Sequence, residues 1–217
     1  MNAMRHGLRR MTAAFAAPIV LVVAAWLPPA LGATTAAEPA PATLAGPALR
    51  DALLRGGYIL YFRHTSTDFG QNDDAMTSFD DCTKQRNLTE QGRAEARAIG
   101  AAVARLRIPV GDVLASPYCR TLETGRLMFG RATATPAVRG GPAAAEPGRY
   151  AALRDLLGTP VAGGVDLVIV SHGNPFRAVT DSPYLAEGEA AVVAPLGGGA
   201  FRVVARIPKD GWNALTR

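Results

Sequence analysis

Two histidines in this chain follow segments that predict buried strands. The segment YILYFRHTSTD begins with five apolar or aromatic residues, 58–62, and then continues with Arg63 and His64. His172 directly follows VDLVIVS, residues 165–171, a second apolar run. Because open α/β sheets bind ligands at the carboxyl ends of their parallel strands, we expect both histidines in one site. The alternative is two unrelated loop histidines.

Arg120 gives this edge a further cation. In LASPYCR it stands four residues after Ser116, where another predicted strand ends and a helix begins. A neutral imidazole is a good nucleophile near neutral pH, and guanidinium groups neutralise phosphate oxygens. These residue types therefore favour phosphoryl transfer. The simpler interpretation of Arg120 is a solvated helix charge.

Strands and helices are predicted to alternate along most of the chain. Apolar runs predict strands at 58–62, 112–116, 134–138, 165–171, 190–196 and 201–207. Capping residues and helical periodicity predict helices at 49–54, from the N-cap Thr89 to about 106, at 117–129 with Pro117 in its first turn, and at 149–157. This order predicts an α/β three-layer sandwich, with a mostly parallel central sheet and helices on both faces.

The N-terminal segment predicts export. Arginines at positions 5, 9 and 10 precede an apolar run, 11–27, and the small residues ALGATTAA follow. This pattern is typical of a secretory signal peptide, here residues 1–33, and predicts a periplasmic or secreted protein. An uncleaved anchor is the main alternative, and the paired arginines weakly suggest a twin-arginine signal.

Composition predicts the domain organisation and the net charge of the chain that remains after cleavage. Residues 34–48, rich in Ala, Pro and Thr, predict a flexible linker, and residues 49–217 predict one domain. The net charge of the whole chain is +5, and the signal peptide carries three arginines and no acid, so about +2 remains. With no basic stripe interleaved with aromatic residues, we predict no nucleic-acid partner. We also predict no membrane span after cleavage.

Four motifs together resemble the histidine phosphatase superfamily, which has the phosphoglycerate mutase-like fold. They are YFRHTSTD, NLTEQGRAEARAIG, LASPYCRTLETG and VIVSHGN; they occur in family order and span most of residues 55–208. The resemblance implies a metal-independent phosphomonoesterase without a cofactor. In it, His64 takes the phosphoryl group, Arg63 and Arg120 bind its oxygens, and His172 donates to it.

The general acid is less clear from the motifs. The family places a carboxylate after the second arginine motif, and Glu146 in the short segment VRGGPAAAEPGRYAALRD is the matching candidate. Asp68, four residues after His64, is the competitor, and a surface charge is the simpler interpretation of both. Arg86 in QRNLT is a candidate substrate contact or an ordinary charge before a helix. Thr65 stands where the family usually has glycine, which argues against the mutase branch.

The short segment around Glu146 also bears on the substrate. Mutases and acid phosphatases of the family carry long inserts that cover the site, so a short one favours an open cleft. The chain resembles compact relatives such as lipopolysaccharide core heptose phosphatases and phosphohistidine phosphatases. We expect a phosphorylated small molecule or glycan as substrate. The alternatives are a phosphohistidine or phosphoprotein phosphatase, and a non-catalytic phospho-ligand binding module of the same fold.

The two cysteines of the chain are Cys82 and Cys119. An even number of cysteines in an exported protein predicts a disulfide, which here would link the loop at 65–87 to the helix that carries Arg120. Two unpaired buried thiols are the alternative. Two cysteines are too few to hold a structural zinc alone, and no metal site is predicted.

Overall fold

The computed structural model describes residues 43–141 and 148–216, all within one folding unit, Pro39–Arg217. The predicted signal peptide, residues 34–42 of the predicted linker and Glu146 lie outside the described residues. Five helices are described: α1 Gly46–Arg55, α2 Glu90–Arg105, α3 Cys119–Phe129, α4 Ala151–Gly158 and α5 Gly173–Thr180. The described strands are β1 Ile59–Arg63, β2 Val110–Ala115, β3 Thr133–Ala134, β4 Asp166–Ser171, β5 Ala190–Gly197 and β6 Ala200–Ile207.

These strands form one mixed sheet in the order β3-β2-β4-β1-β5-β6. Strands β3, β2, β4 and β1 run parallel, whereas β5 is antiparallel to both β1 and β6. The register pairs Arg63 with Ser171 and Ala115 with Val170, so β1, β4 and β2 all end at the same edge of the sheet. The predicted α/β sandwich with a mostly parallel sheet is confirmed.

Apolar cores lie on both faces of the sheet. Alternate residues of β1 contribute to each, with Leu60 and Phe62 in one core and Ile59 and Tyr61 in the other. The first core packs against α1, α2 and α3, and the second against α4 and α5. Burial of β1 on both faces explains its uninterrupted apolar sequence.

The start of α2 agrees with the prediction, whereas the starts of α1 and α3 differ from it. The predicted N-cap Thr89 accepts a hydrogen bond at Oγ1 from Gly92 N, at 2.9 Å. Helix α1 begins at Gly46 rather than at 49, so the end of the predicted linker is helical. Helix α3 begins at Cys119, which leaves Pro117 outside its first turn, contrary to the prediction.

Two further predictions of secondary structure were wrong. The strand expected at 134–138 is only the two-residue β3, and Pro136 begins a 3₁₀ turn because it has no N–H to give a strand ladder. Helix α5 was not predicted, since GNP at its start suggests a turn. Proline is tolerated there because the first N–H groups of a helix have no intrahelical acceptor.

Within the described residues, no helix is both long and apolar enough to cross a membrane.

A buried carboxyl group lies at the sheet edge opposite the strand ends. Asp166, the first residue of β4, is fully buried and accepts a hydrogen bond at Oδ1 from Tyr58 N, at 2.9 Å. Its Oδ2 has no hydrogen-bond partner among the described residues. Burial raises the pKa of Asp166 from its ordinary value of 3.8 to about 7. This carboxyl group therefore makes the stability of the fold sensitive to pH.

Candidate active site

The common edge of β1, β2 and β4 brings the predicted site residues together. His64 follows β1, and its N–H donates to Ser171 O at 3.0 Å, which continues the parallel ladder by one residue. His172 follows β4 as the N-cap of α5, and Arg120 lies in the first turn of α3. The rings of His64 and His172 are edge to face, with centroids 5.4 Å apart.

These residues line a cavity of about 470 Å³. Its wall is mostly polar and is formed by the strand ends, the loop after β1 and the segments before α4 and β5. It comprises Arg63, His64, Gln71, Asn72, Asp73, Asp74, Arg86, Tyr118, Arg120, Gly140, Gly141, His172, Gly173, Asn174 and Tyr184. The sequence candidates Arg63, His64, Arg86, Arg120 and His172 are all among them.

His64 has the protonation state of a nucleophile. Its Nδ1 lies 2.9 Å from Thr65 O, and because a carbonyl can only accept, Nδ1 carries the proton and Nε2 keeps its lone pair. Burial, with 1% of the residue exposed, and the charges of Arg120 and Arg63 lower its pKa from 6.5 to about 3. The ring is therefore neutral at physiological pH.

His172 is fixed from three sides. Its Nε2 lies 2.9 Å from Ser116 Oγ, and the Tyr118 ring packs edge to face against it, with centroids 5.0 Å apart. Gly140 lies so close that a Cβ there would overlap the imidazole ring. Burial and the neighbouring His64 hold the pKa of His172 well below 6.5, so this ring is neutral as well.

Two of the three cavity arginines have acidic partners. Arg63 donates from Nη1 to Leu185 O at 2.9 Å and lies 3.4 Å from Glu187 Oε1. Arg120 donates from Nη1 and Nη2 to the two carboxylate oxygens of Asp73, each at 3.0 Å. Burial lowers the pKa of both arginines, and their acidic partners oppose that shift.

Arg86, the third cavity arginine, is held by an aromatic ring and not by an acidic side chain. Its guanidinium stacks on the ring of Phe69 at 4.7 Å, and its backbone carbonyl accepts from Arg120 Nη1 at 3.2 Å. Its buried Nε has no hydrogen-bond partner among the residues described. Because a buried guanidinium N–H usually has an acceptor, Arg86 has donor capacity for an anion in this cavity.

The structure describes only one of the two candidates for the general acid, Asp68. Asp68 lies in a turn, where its Oδ1 accepts from Gly70 N at 2.8 Å, and it does not line the wall. Glu146 lies in the segment 142–147, which the structure does not describe. Asp73 and Asp74 line the described wall instead, and the sequence analysis selected neither.

The predicted disulfide between Cys82 and Cys119 is confirmed, with Cα atoms 5.8 Å apart. It joins the loop after β1 to the residue before Arg120. Gln85 strengthens this link, because its Oε1 accepts from Cys119 N at 3.0 Å. The part of the cavity wall formed by the loop after β1 is thus fixed to α3, the helix that carries Arg120.

Glu187 is a second acidic residue that sequence reasoning missed. Its Oε1 accepts from Thr67 Oγ1 at 2.7 Å and lies 3.8 Å from His64 Nδ1. Glu187 thereby pairs with Arg63 and lies near the protonated Nδ1 of His64, although it is not part of the cavity wall. Glu187 could have been selected from its position just before β5, because β5 pairs with β1, the strand that His64 follows.

Among the described residues, no group of three or more His, Cys, Asp or Glu side chains has the arrangement of a metal site. The described wall of the cavity offers two neutral imidazoles, three guanidinium groups, the carboxyl groups of Asp73 and Asp74 and the phenols of Tyr118 and Tyr184.

The sheet order, the two helical layers and the paired histidines define the phosphoglycerate mutase-like fold, as the motifs implied. A solved structure of a protein assigned as the phosphohistidine phosphatase SixA from Agrobacterium tumefaciens matches with a TM-score of 0.50 at 15% identity; the match covers 70% of this chain and 98% of that one. The protein histidine phosphatase SixA complexed with tungstate matches with a TM-score of 0.51 at 19% identity, over 70% of this chain and 97% of that one. No protein-family model and no curated protein matches the sequence.

Proposed function

We propose that this protein is an exported phosphomonoesterase that hydrolyses its substrate through a phosphohistidine on His64. The observation that carries the proposal is the state of His64, whose Nε2 is unprotonated beside Arg63 and Arg120. A buried neutral nucleophile next to permanent cations suits attack on an anionic phosphate.

The residues divide the reaction between them. His64 Nε2 forms a bond to phosphorus while the ester P–O bond breaks. Arg63 and Arg120 offer guanidinium donors to the oxygens of the transferring group, with Arg86 as a third. In this mechanism Ser116 Oγ donates to His172 Nε2, which leaves the proton of the neutral ring on Nδ1 as a donor to the transferring group. Water then attacks the phosphohistidine, and phosphate and neutral His64 result.

The cavity and the fold support two candidate classes of substrate. The open, polar wall with Tyr118 and Tyr184 suits a phosphorylated small molecule or a sugar phosphate. Phosphohistidine in a protein is the second candidate, because structural neighbours carry the name of phosphohistidine phosphatases. A panel of both ester types and a phosphohistidine peptide separates these candidates by kcat/KM.

Export is the part of the proposal that rests on the N-terminal sequence. The basic and apolar pattern of residues 1–33 supports it, and so does the disulfide, which suits an oxidising compartment. Expressed with its own leader in a Gram-negative host, the protein should be recovered from the periplasm, shorter by about 30 residues. Intact mass measures this, and a full-length cytosolic product would contradict it.

The phosphoenzyme itself is the test of the reaction. Brief exposure to a ³²P-labelled ester, followed by a denaturing quench, should leave label on the protein. Because a phosphohistidine is a phosphoramidate, the label should be labile in acid and stable in alkali, and peptide mapping should place it on the segment YILYFRHTSTD. Saturable binding of phospho-ligands without label or turnover would instead identify a binding module.

A further inference from the structure

We infer that Glu187 is a positioning residue that acts through His64, because its carboxylate stabilises the positive charge that the ring acquires when it takes up a phosphoryl group. This inference rests on the proposed function. Glu187 lies in the segment before β5, and its Oε1 is 3.8 Å from His64 Nδ1. The carboxylate therefore lies beside the ring nitrogen that keeps its proton during the reaction.

A positive charge must appear on the His64 ring during phosphoryl transfer. With p-nitrophenyl phosphate, the lone pair of Nε2 forms the P–N bond, and the electron pair of the P–O bond leaves with p-nitrophenolate. Because Nδ1 keeps its proton against Thr65 O, the neutral ring becomes a cation. Water then adds to phosphorus, the electron pair of the P–N bond returns to Nε2, and the ring is neutral again.

The surroundings of His64 make this charge costly. Burial disfavours the cation most, and the positive charges of Arg120, Arg63 and Arg86 disfavour it further; all of these lower the pKa of the ring. Thr65 O opposes the shift, but a carbonyl group carries no net charge. A cation on this ring is therefore stabilised most effectively by an anion on its Nδ1 side.

Glu187 is held in place to supply that anion. Thr67 Oγ1 donates to its Oε1 at 2.7 Å, and Thr67 N donates to its Oε2 at 3.3 Å. The next residue, Gly188, donates from its backbone N to His64 O at 3.0 Å, which links the segment to the histidine. The Glu187 side chain is only 15% exposed, so water weakens its attraction to a nearby cation less than at the surface.

The pairing of Glu187 with Arg63 is a second role that an experiment can separate from the first. Arg63 Nη2 lies 3.4 Å from the same Oε1, but Nη1 donates to Leu185 O at 2.9 Å. Arg63 therefore keeps one of its contacts when the charge of Glu187 is removed. Binding of an anion reports on Arg63, whereas formation of the phosphoenzyme reports on His64 as well.

Two substitutions of Glu187 distinguish charge from shape. Glutamine keeps the size of the side chain and an oxygen for Thr67 but has no charge, whereas aspartate keeps the charge on a shorter side chain. The pre-steady-state burst of p-nitrophenolate measures the rate of phosphoenzyme formation. Glu187→Gln should lower this rate by about 10–10²-fold, from the attraction of two charges at this separation. The rate in Glu187→Asp should lie between those of Glu187→Gln and the unmodified protein.

Two further measurements and a control accompany this comparison. Tungstate binding by calorimetry should not weaken in Glu187→Gln, because a negative charge beside Arg63 has been removed. Decay of the ³²P label during a chase should not slow, because the ring loses its positive charge in that step. Glu189→Gln is the matched control: this carboxylate lies two residues further along and pairs with Arg206, so the burst rate should be unchanged.

Three results would overturn the assignment. A burst rate in Glu187→Gln equal to or above that in Glu187→Asp would mean that Glu187 acts only as a hydrogen-bond acceptor for Thr67. A loss of tungstate affinity in proportion to the rate would mean that it only positions Arg63. The same loss of rate in Glu189→Gln would mean that any acid of this segment has the effect. Absence of phosphoenzyme and turnover in the unmodified protein is a separate outcome, since it contradicts the proposed function itself.

Discussion

The His64→Ala variant is expected to lose turnover of phosphate esters by at least about 10⁴-fold, because it lacks the atom that accepts the phosphoryl group. It should also take up no label from a ³²P ester. Initial rates with p-nitrophenyl phosphate measure the loss. This ester needs little help from an acid, so its rate reports on the nucleophile alone.

The fold should survive this substitution. His64 binds its neighbours through its backbone, donating to Ser171 O and accepting from Gly188 N, and alanine keeps both bonds. Tungstate binding by calorimetry should therefore persist, because Arg63 and Arg120 remain. His64→Gln, which fills more of the buried space, serves as the matched variant and should be equally inactive. Turnover near that of the unmodified protein in either variant would end the phosphohistidine mechanism.

The Asp166→Asn variant is expected to be more stable than the unmodified protein at alkaline pH. The pKa of Asp166 is raised from 3.8 to about 7, so the folded state holds a proton that the unfolded state releases. This contribution to stability is complete below pH 3.8 and is lost as the pH rises through 7. A shift of this size corresponds to about 4 kcal/mol. Asparagine removes the ionisation and keeps an oxygen that accepts from Tyr58 N.

The measurement is the free energy of unfolding by urea at pH 4, 6 and 8. The difference between Asp166→Asn and the unmodified protein should increase in favour of the variant across this series. Asp112→Asn is the matched control, because Asp112 and Asp166 line one small cavity at this edge of the sheet but Asp112 is exposed. It should show no such trend. Parallel curves for Asp166→Asn would mean that Asp166 is ionised at no cost in the folded protein.

The main features of the fold could be predicted because they depend on local pattern. The apolar runs of β1 and β4 are buried on both faces, and a strand end followed by a histidine fixes where that side chain lies. The same reasoning could not predict α5 or the shortness of β3. In both places the effect of a proline depends on its position: Pro136 ends β3, whereas Pro175 lies in the first turn of α5, where it is tolerated. The residue pattern alone does not distinguish the two cases.

The acidic side chains of the site could not be predicted for a different reason. The loop after β1 contains several aspartates, and no periodicity distinguishes Asp73 from Asp68 or Asp74. What distinguishes Asp73 is contact with Arg120, 47 residues further along the chain. Glu187 is likewise defined by contacts with Thr67 and His64, which exist only once β5 has paired with β1.

The disulfide bears on the energetics of substrate binding as well as on stability. In the chain-entropy model, closing a loop over a separation of 37 residues restricts the unfolded chain by about 4 kcal/mol. In the folded protein the same crosslink, together with the pairing of Asp73 and Arg120, holds the loop that carries Asp73 and Arg86 against α3. Binding energy is not needed to organise this wall and is left for the interactions that strengthen at the transition state. The crosslink thereby makes the cavity preorganised.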